Sequence, residues 1–250
     1  MIQLTPRLAA IAKEIKPGET MADIGTDHGF LPVSLWEQGI CPHVILTDVN
    51  EGPLHKAEEN CRQRFPELRF DLRRGNGLQV LEPSEVDVVT IAGMGGILMT
   101  EILSEDLEKS RSFKRLILQP RNNIGLLRHW LYDHCFSITD EQLVREGRFI
   151  CEVLTVVPIE KASLLSLGPD CIEWQYPRRL LEFTGPLMEE YLTGKLELEE
   201  KILSSMESGG QDALTLRRQS NRVLYMRDLL RDVCTELKKQ KQQESYEKER

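Results

Sequence analysis

Thr20-Met21-Ala22-Asp23-Ile24-Gly25-Thr26-Asp27-His28-Gly29 decides the fold. Thr20 to Ile24 reads as a short strand, Gly25 ends it, and Leu31 to Gln38 continues at helical spacing. A strand that breaks at glycine and feeds straight into a helix is the first half of a βαβ unit. Upstream, Thr5-Pro6 sets a hydroxyl N-cap before a proline at the first helical position. Leu8, Ile11, Ala12 and Ile15 then recur at helical spacing until Pro17-Gly18 stops them.

Downstream the unit repeats. Val44 to Val49 is a second buried strand, and Pro53 to Phe65 a helix with Leu54, Ala57 and Cys61 on one face. Leu68 to Arg73 fits a third strand, broken by Gly75-Asn76-Gly77. Val86 to Ala92 is a nearly continuous β-branched run, as in a sheet covered on both faces. Gly93-Met94-Gly95-Gly96 follows, then a helix from Ile97 to Leu107. Arg115 to Gln119 is a strand closed by Pro120, and Leu126 to His134 a helix. The rhythm then changes to a hairpin, Phe136 to Val144 and Phe149 to Val157, turning at Glu146-Gly147. Five strand–helix alternations predict an α/β fold with a mostly parallel sheet, into which the hairpin puts one antiparallel strand. This is the element order of the class I methyltransferase (Rossmann-like) fold; a dehydrogenase continues with further parallel units.

After residue 159, Pro169, Pro177, Gly185 and Pro186 punctuate a connector. Two helical stretches follow, 187–207 and 213–243, around a loop at Ser208 to Asp212. Val223, Met226, Leu230, Val233 and Leu237 alternate at the spacing of a coiled-coil seam, with Met188, Tyr191, Leu198 and Ile202 as partners. An antiparallel C-terminal helical hairpin is expected, with Lys238 to Arg250 fraying. The expected domains are residues 1–160 and 161–250.

Composition narrows the function. The 250 residues are 40% hydrophobic, enough for a substantial core. The balance of 32 Lys and Arg against 40 Asp and Glu, net −8, argues against a chain coated in basic charge. Residues 213–250, however, hold ten Lys and Arg against six Asp and Glu. That stretch carries +4, so the remainder carries −12. No run approaches the roughly 20 apolar residues of a membrane helix, and Met1 to Pro6 does not open a signal peptide. The six cysteines are scattered, without zinc spacing, so reduced thiols, no metal and a cytoplasmic location are expected.

In such a sheet ligands bind beyond the carboxyl ends of the strands. The first loop is not G-x-G-x-x-G: Asp27 stands two residues after Gly25. Its carboxylate opposes a pyrophosphate and suits a ligand carrying a sulfonium cation. Asp23, Gly25, Thr26, Asp27 and Gly29 are therefore cofactor-site candidates. Asp48, 25 residues beyond Asp23, is placed to accept from both ribose hydroxyls, with Val49 and Asn50 beside it; a helix-capping Asp is the competing reading. Asn76, followed by Gly77, is placed to meet an adenine amino group, or is a turn asparagine. Three polar residues at three successive strand ends describe a pocket for an adenosine-containing cofactor, and S-adenosylmethionine fits best. Ala92, Gly93 and Met94 form its next wall, and Gly95 lets a flat base approach, or Gly95 and Gly96 serve close packing. Gln119 and Pro120 offer a further base-facing edge.

These stretches resemble the TrmK family of bacterial tRNA (adenine-22-N1) methyltransferases. The resemblance rests on Arg7 with Leu8 to Ile11, Ala22 to Gly29, Asp48 to Asn50 with Gly52-Pro53, Gly75 to Leu78, Ile91 to Gly96, and Leu116 to Pro120. It runs from about residue 4 to 157. One departure is Asn76, where the family commonly has Asp; Asn keeps an acceptor oxygen. The resemblance implies methyl transfer from S-adenosylmethionine to N1 of an adenine in tRNA. Asp27, and after it His28, are then the catalytic candidates, stabilising positive charge that develops on the base; a purely cofactor-binding or loop-capping role is the competing reading for Asp27. Arg7, counted with the substrate-binding candidates, is placed to meet the methionine carboxylate from the N-terminal helix, or makes an ordinary surface salt bridge. Arg217, Arg218 and Arg222, with Arg227, Arg231, Lys238, Lys239 and Lys241, are candidates for tRNA contact, or a solvated face paired to Asp228, Asp232 and Glu236. A small-molecule methyltransferase and a non-catalytic RNA-binding protein are the alternatives.

Overall fold

Thr5 caps the first helix, α1 (Pro6–Lys13), from an extended conformation, its hydroxyl accepting from the Leu8 N–H at 3.5 Å. This is a computed structural model, and it describes residues 2–161, 167–168, 170–178 and 186–248, without the side chains at 186, 241 and 244–248. Pro169, Gly185 and the Lys241 side chain therefore lie outside the described residues. The chain divides into two compact units, Met1–Leu167 and Gly168–Arg250.

In the first unit seven strands form one sheet, ordered β3-β2-β1-β4-β5-β7-β6. The central strands β1 (Met21–Ile24) and β2 (Val44–Asp48) are buried at every position, Asp23, Thr47 and Asp48 among their apolar residues. Alternate residues serve opposite faces. Ala22, Ile24, Val89, Ile91, Leu116 and Leu118 pack with Met99, Leu103, Leu127 and Leu131, from α4 (Gly96–Glu105) and α6 (Ile124–Asp133). Met21, Val88 and Ile117 turn the other way. They join Ile11 of α1, Leu31 and Leu35 of α2 (Phe30–Glu37), and Ala57 and Cys61 of α3 (Glu51–Arg64).

From β1 the chain steps outward through β2 to the edge strand β3 (Asp71–Arg74), then returns to β4 (Val88–Met94) on the other side of β1. In open parallel sheets such a reversal, here at the carboxyl ends of β1 and β4, is where ligands bind. The strand β5 (Arg115–Pro120) is parallel to β4. The hairpin β6 (Phe136–Glu146) and β7 (Phe149–Pro158) inserts β7, antiparallel, between β5 and β6.

Several element bounds differ from expectation, β3 among them, which starts at Asp71 rather than Leu68. The strand predicted to end at Ala92 runs to Met94, with a register shift between the two, because Gly93 takes φ +74° and Pro120 pairs opposite Met94. The helix predicted from Ile97 to Leu107 stops at Glu105. Asp106 then caps a separate α5 (Leu107–Ser112), accepting from the Lys109 N–H at 2.9 Å. The first hairpin strand also runs on to Glu146, next to Gly147, whose φ of +59° makes the turn.

The second unit holds a single turn, α7 (Ile172–Gln175), and the paired helices α8 (Pro186–Ser208) and α9 (Ala213–Lys248). The tail expected to fray is helical to Lys248, through residues of good helix propensity. The seam is also revised. Val223, Met226 and Val233 are buried, but Leu229 rather than Leu230 completes them. On α8, Met188, Tyr191 and Leu192 are buried while Leu198 and Ile202 are exposed. Glu199 takes the inward position instead, its carboxylate accepting from Gln219 Nε2 at 2.8 Å and Arg222 Nη2 at 2.8 Å. Among the described residues no helix is long and apolar enough to cross a membrane.

Candidate functional site

The loop after β1 is held from below. The Gly25 and Thr26 N–H groups donate to the Thr47 carbonyl at 2.9 and 2.8 Å, and Gly29 N–H donates to Thr26 O at 2.9 Å. Asn60 Nδ2 donates to His28 O at 3.0 Å, tying the loop to α3. Gly25 has φ +75°, and a Cβ there would collide with the Met94 methyl. The left-handed backbone is what requires glycine there, since the Met94 methyl is the movable end of a flexible side chain. Asp27 takes φ +51° without being glycine, a conformation that stores strain.

Two carboxylates sit under this loop. Asp23 is buried and accepts from the Thr26 hydroxyl at 2.8 Å. Burial pushes its carboxyl up to about 6; the Thr26 bond and the Arg7 guanidinium pull against that rise, and Asp48 adds to it. Asp48 is also buried, and its Oδ1 accepts from the Asn50 N–H at 2.8 Å. Local capping therefore occupies one oxygen of the carboxylate. Val49 and Asn50 beside it are exposed. The Gly75 N–H donates to Asp48 O at 3.1 Å, drawing the third loop against the second. Asn76 is exposed there, whereas Gly77 is buried against Ile102.

The end of β4 is fixed by a buried amide. Gln119 Oε1 accepts from the Gly93 N–H at 3.1 Å and from Arg7 Nη1 at 3.1 Å, and its Nε2 donates to Pro120 O at 2.9 Å. Gln119 and Pro120 are corrected accordingly. Both are buried and the amide is engaged inside the protein, so they position the loop rather than present an edge to a base. Arg7 is anchored further by its own N–H, which donates to Glu146 Oε2 at 3.1 Å. The glycines after Met94 serve packing. A Cβ on Gly95 would lie 2.9 Å from Asn122 Oδ1, and one on Gly96 would meet the Asn123 carbonyl. Ala92, Gly93, Met94 and Gly95 remain half-exposed along this edge.

Asp27 and His28 lie outermost. His28 Nε2 is 3.6 Å from Asp27 Oδ2, and the imidazole stacks on Phe30 with ring centres 5.2 Å apart. The fold thus gathers Arg7, Asp23, Gly25, Thr26, Asp27, Asp48, Gly93 and Met94 at one sheet edge. Arg217, Arg218 and Arg222 belong to the second unit. Arg217 and Arg218 are exposed. Arg222 is corrected: it is bound to the buried Glu199 and is not held out for a ligand. Arg227, Arg231 and Lys239 are likewise paired, to Glu200, Asp228 and Glu236. Among the described residues no group of three His, Cys, Asp or Glu is arranged to hold a metal, and all six cysteines are free thiols.

Sequence reasoning missed Glu146 and Phe30. Glu146 reads as a turn residue, and its partner Arg7 is 139 residues away, beyond any local pattern. Phe30 had a signal: an aromatic in the first turn of the helix that leaves the glycine loop.

Residues 4–154 match the family model described as a methyltransferase domain. The tRNA (adenine(22)-N(1))-methyltransferase of Bacillus subtilis (strain 168) is 35% identical over 153 residues, 61% of this chain and 64% of that enzyme. The chain thus matches a little under two thirds of that relative's length. The crystal structure of Streptococcus pneumoniae Sp1610, proposed to be a tRNA (m1A22) methyltransferase, has a TM-score of 0.79 at 30% identity, covering 91% of this chain and 100% of that one. Sp1610 has also been solved in complex with S-adenosyl-L-methionine, with a TM-score of 0.78 at 30% identity over the same shares of the two chains. The B. subtilis m1A22 tRNA methyltransferase TrmK superposes with a TM-score of 0.75 at 27% identity, covering 93% of this chain and 99% of that one.

Proposed function

We propose the reaction of this chain from one premise: it belongs to the methyltransferase-domain family. The reaction is transfer of a methyl group from S-adenosylmethionine to N1 of adenine 22 in tRNA. The observation that carries it is the pair of buried carboxylates, Asp23 and Asp48, beneath a glycine loop at the sheet's reversal point. Burial holds the Asp23 carboxyl above its ordinary value, Asp48 adds to that rise, and a cationic ligand favours the Asp23 carboxylate. When bound, S-adenosylmethionine supplies an electrophilic methyl carbon on a cationic sulfur. Asp48 accepts from its ribose hydroxyls, with Val49 and Asn50 alongside. Asn76 and Gly77 meet its adenine, and Asp23, Gly25, Thr26, Asp27 and Gly29 hold its methionine end. Ala92, Gly93 and Met94 form the wall towards the substrate.

The nucleophile is the N1 lone pair, so the chain's task is alignment more than proton abstraction. Gln119 contributes by fixing Gly93, and Arg7 by fixing Gln119. Positive charge develops on the methylated base. The exposed Asp27 carboxylate stabilises it, with His28 as its neighbour. Residues 1–160 form the catalytic domain and residues 161–250 a helical appendage that contacts tRNA through Arg217 and Arg218. The enzyme works in the cytoplasm, where its substrate is. The test is methyl incorporation into unmodified tRNA, with an adenine-22 substitution as control. Incorporation that the substitution abolishes is expected; no incorporation into any tRNA rejects the reading.

A further inference from the structure

We propose that the first turns of α4 and α6 form a shelf for an unpaired RNA base flanking the methylated adenine. Ile97, Leu98 and Leu126 are its apolar face and Asn122 its polar edge. The inference rests on the tRNA-methylating reading and deepens it. The three aliphatic side chains are 46%, 45% and 46% exposed. Their neighbours Gly96, Met99, Ile124 and Leu127 are buried, so core packing does not require large aliphatics at these outward positions.

The two turns are stapled into one surface. Gly96 N–H donates to Asn122 O at 3.0 Å, and Arg121 N–H donates to Met94 O at 2.8 Å. The missing side chain of Gly95 lets the Asn122 amide lie against the backbone. Ile97, Leu98 and Leu126 each follow this staple within one helical turn, and α4 packs on α6. The shelf therefore adjoins the Gly93–Gly96 edge, where the reacting base must be presented.

The chemistry selects a base. An unpaired base has broad apolar faces and a hydrogen-bonding rim. Asn123 Nδ2 donates to Asn122 Oδ1 at 3.1 Å, which turns the Asn122 amide nitrogen away as a donor. Arg121, exposed on the same loop, adds a cation for the adjoining phosphate. An extruded adenine leaves its neighbours unstacked, and such a shelf receives one of them.

The test uses the full chain, with Leu98→Ser/Leu126→Ser and Asn122→Ala as variants and Leu68→Ser, exposed ahead of β3, as control. Tenfold weaker binding of a tRNA hairpin with 2-aminopurine beside the target position is expected for the shelf variants, together with loss of the probe's fluorescence change. The KM for tRNA rises about tenfold with kcat within about twofold, while S-adenosylmethionine affinity stays constant. Wild-type hairpin binding in both shelf variants overturns the proposal. So does a wild-type dimer that the shelf substitutions dissociate, which assigns the patch to a second copy. Because hairpin binding is read without turnover, failure of the wild type to methylate any tRNA strikes the reaction and not the shelf.

Discussion

Gln119 Oε1 stands 3.1 Å from the Gly93 nitrogen, so a buried amide on β5 fixes the backbone at the end of β4. Arg7 donates to the same oxygen, which brings the N-terminal helix into the arrangement. Replacing Gln119 by Leu leaves the Gly93 N–H and the Arg7 guanidinium without this acceptor, at a cost of about 1–3 kcal/mol. Thermal melting is expected to show that loss. Steady-state assays are expected to show kcat down about tenfold, because a misaligned loop costs rate more than affinity. Unchanged kcat would mean that the amide serves stability alone.

Gly25→Ala sets a Cβ against the Met94 methyl in a left-handed conformation. The conformation alone costs about 1–2 kcal/mol. Cofactor binding is expected to be lost, as read by titration calorimetry. Shortening the obstructing side chain in Gly25→Ala/Met94→Ala is expected to restore part of the affinity. A double variant as impaired as the single one would place the fault in the backbone rather than in the collision.

Asp48→Ala removes a buried acceptor at the end of β2. Charged hydrogen bonds of this kind are worth about 1.5–3 kcal/mol, so affinity for S-adenosylmethionine should fall at least about tenfold. Equal affinity in the variant refutes the ribose assignment.

Asp23 should make binding pH-dependent. Its folded pKa, about 6, lies above the ordinary carboxyl value of 3.8, so folding favours the protonated acid. Its contribution to stability is complete below about 3.8 and is lost as pH rises through about 6. A cationic ligand favours the carboxylate, so binding near pH 6 should release a proton and tighten as pH rises towards 7. Calorimetry in buffers of different ionisation heat measures that proton directly. Asp23→Asn should flatten the profile, and an unaltered profile in that variant would assign the proton elsewhere.

The arginines of α9 should separate into two kinds. Arg217→Glu/Arg218→Glu is expected to weaken tRNA binding and to lower its salt dependence by about two counterions, with the fold intact. Arg222→Ala should instead strand the buried carboxylate of Glu199. Helical circular dichroism should report a loss of about 1–3 kcal/mol, discounted because Arg222 is a third exposed. Equal effects of the two changes on tRNA binding would erase the distinction.

The order of elements and the strand ends at which chemistry gathers are legible in the chain's local pattern. Hydrophobic period and glycine placement are local properties, and burial on both faces makes Val88 to Ile91 legible as a central strand. Asp23, Asp48 and Asn76 could be lined up at one sheet edge before any coordinates, because parallel strands all end on the same side. Which polar side chains are spent within the protein is settled by contacts between distant segments. Gln119 looked outward-facing because its two partners, Arg7 and Gly93, are 112 and 26 residues away. Arg222 looked available because Glu199 lies on the other helix. Leu198 and Ile202 looked like seam residues because their spacing is right, and the packing of α8 on α9 turned Glu199 inward instead. Periodicity fixes which residues share a face; whether a polar group on that face meets water or a partner depends on chain segments far away in sequence.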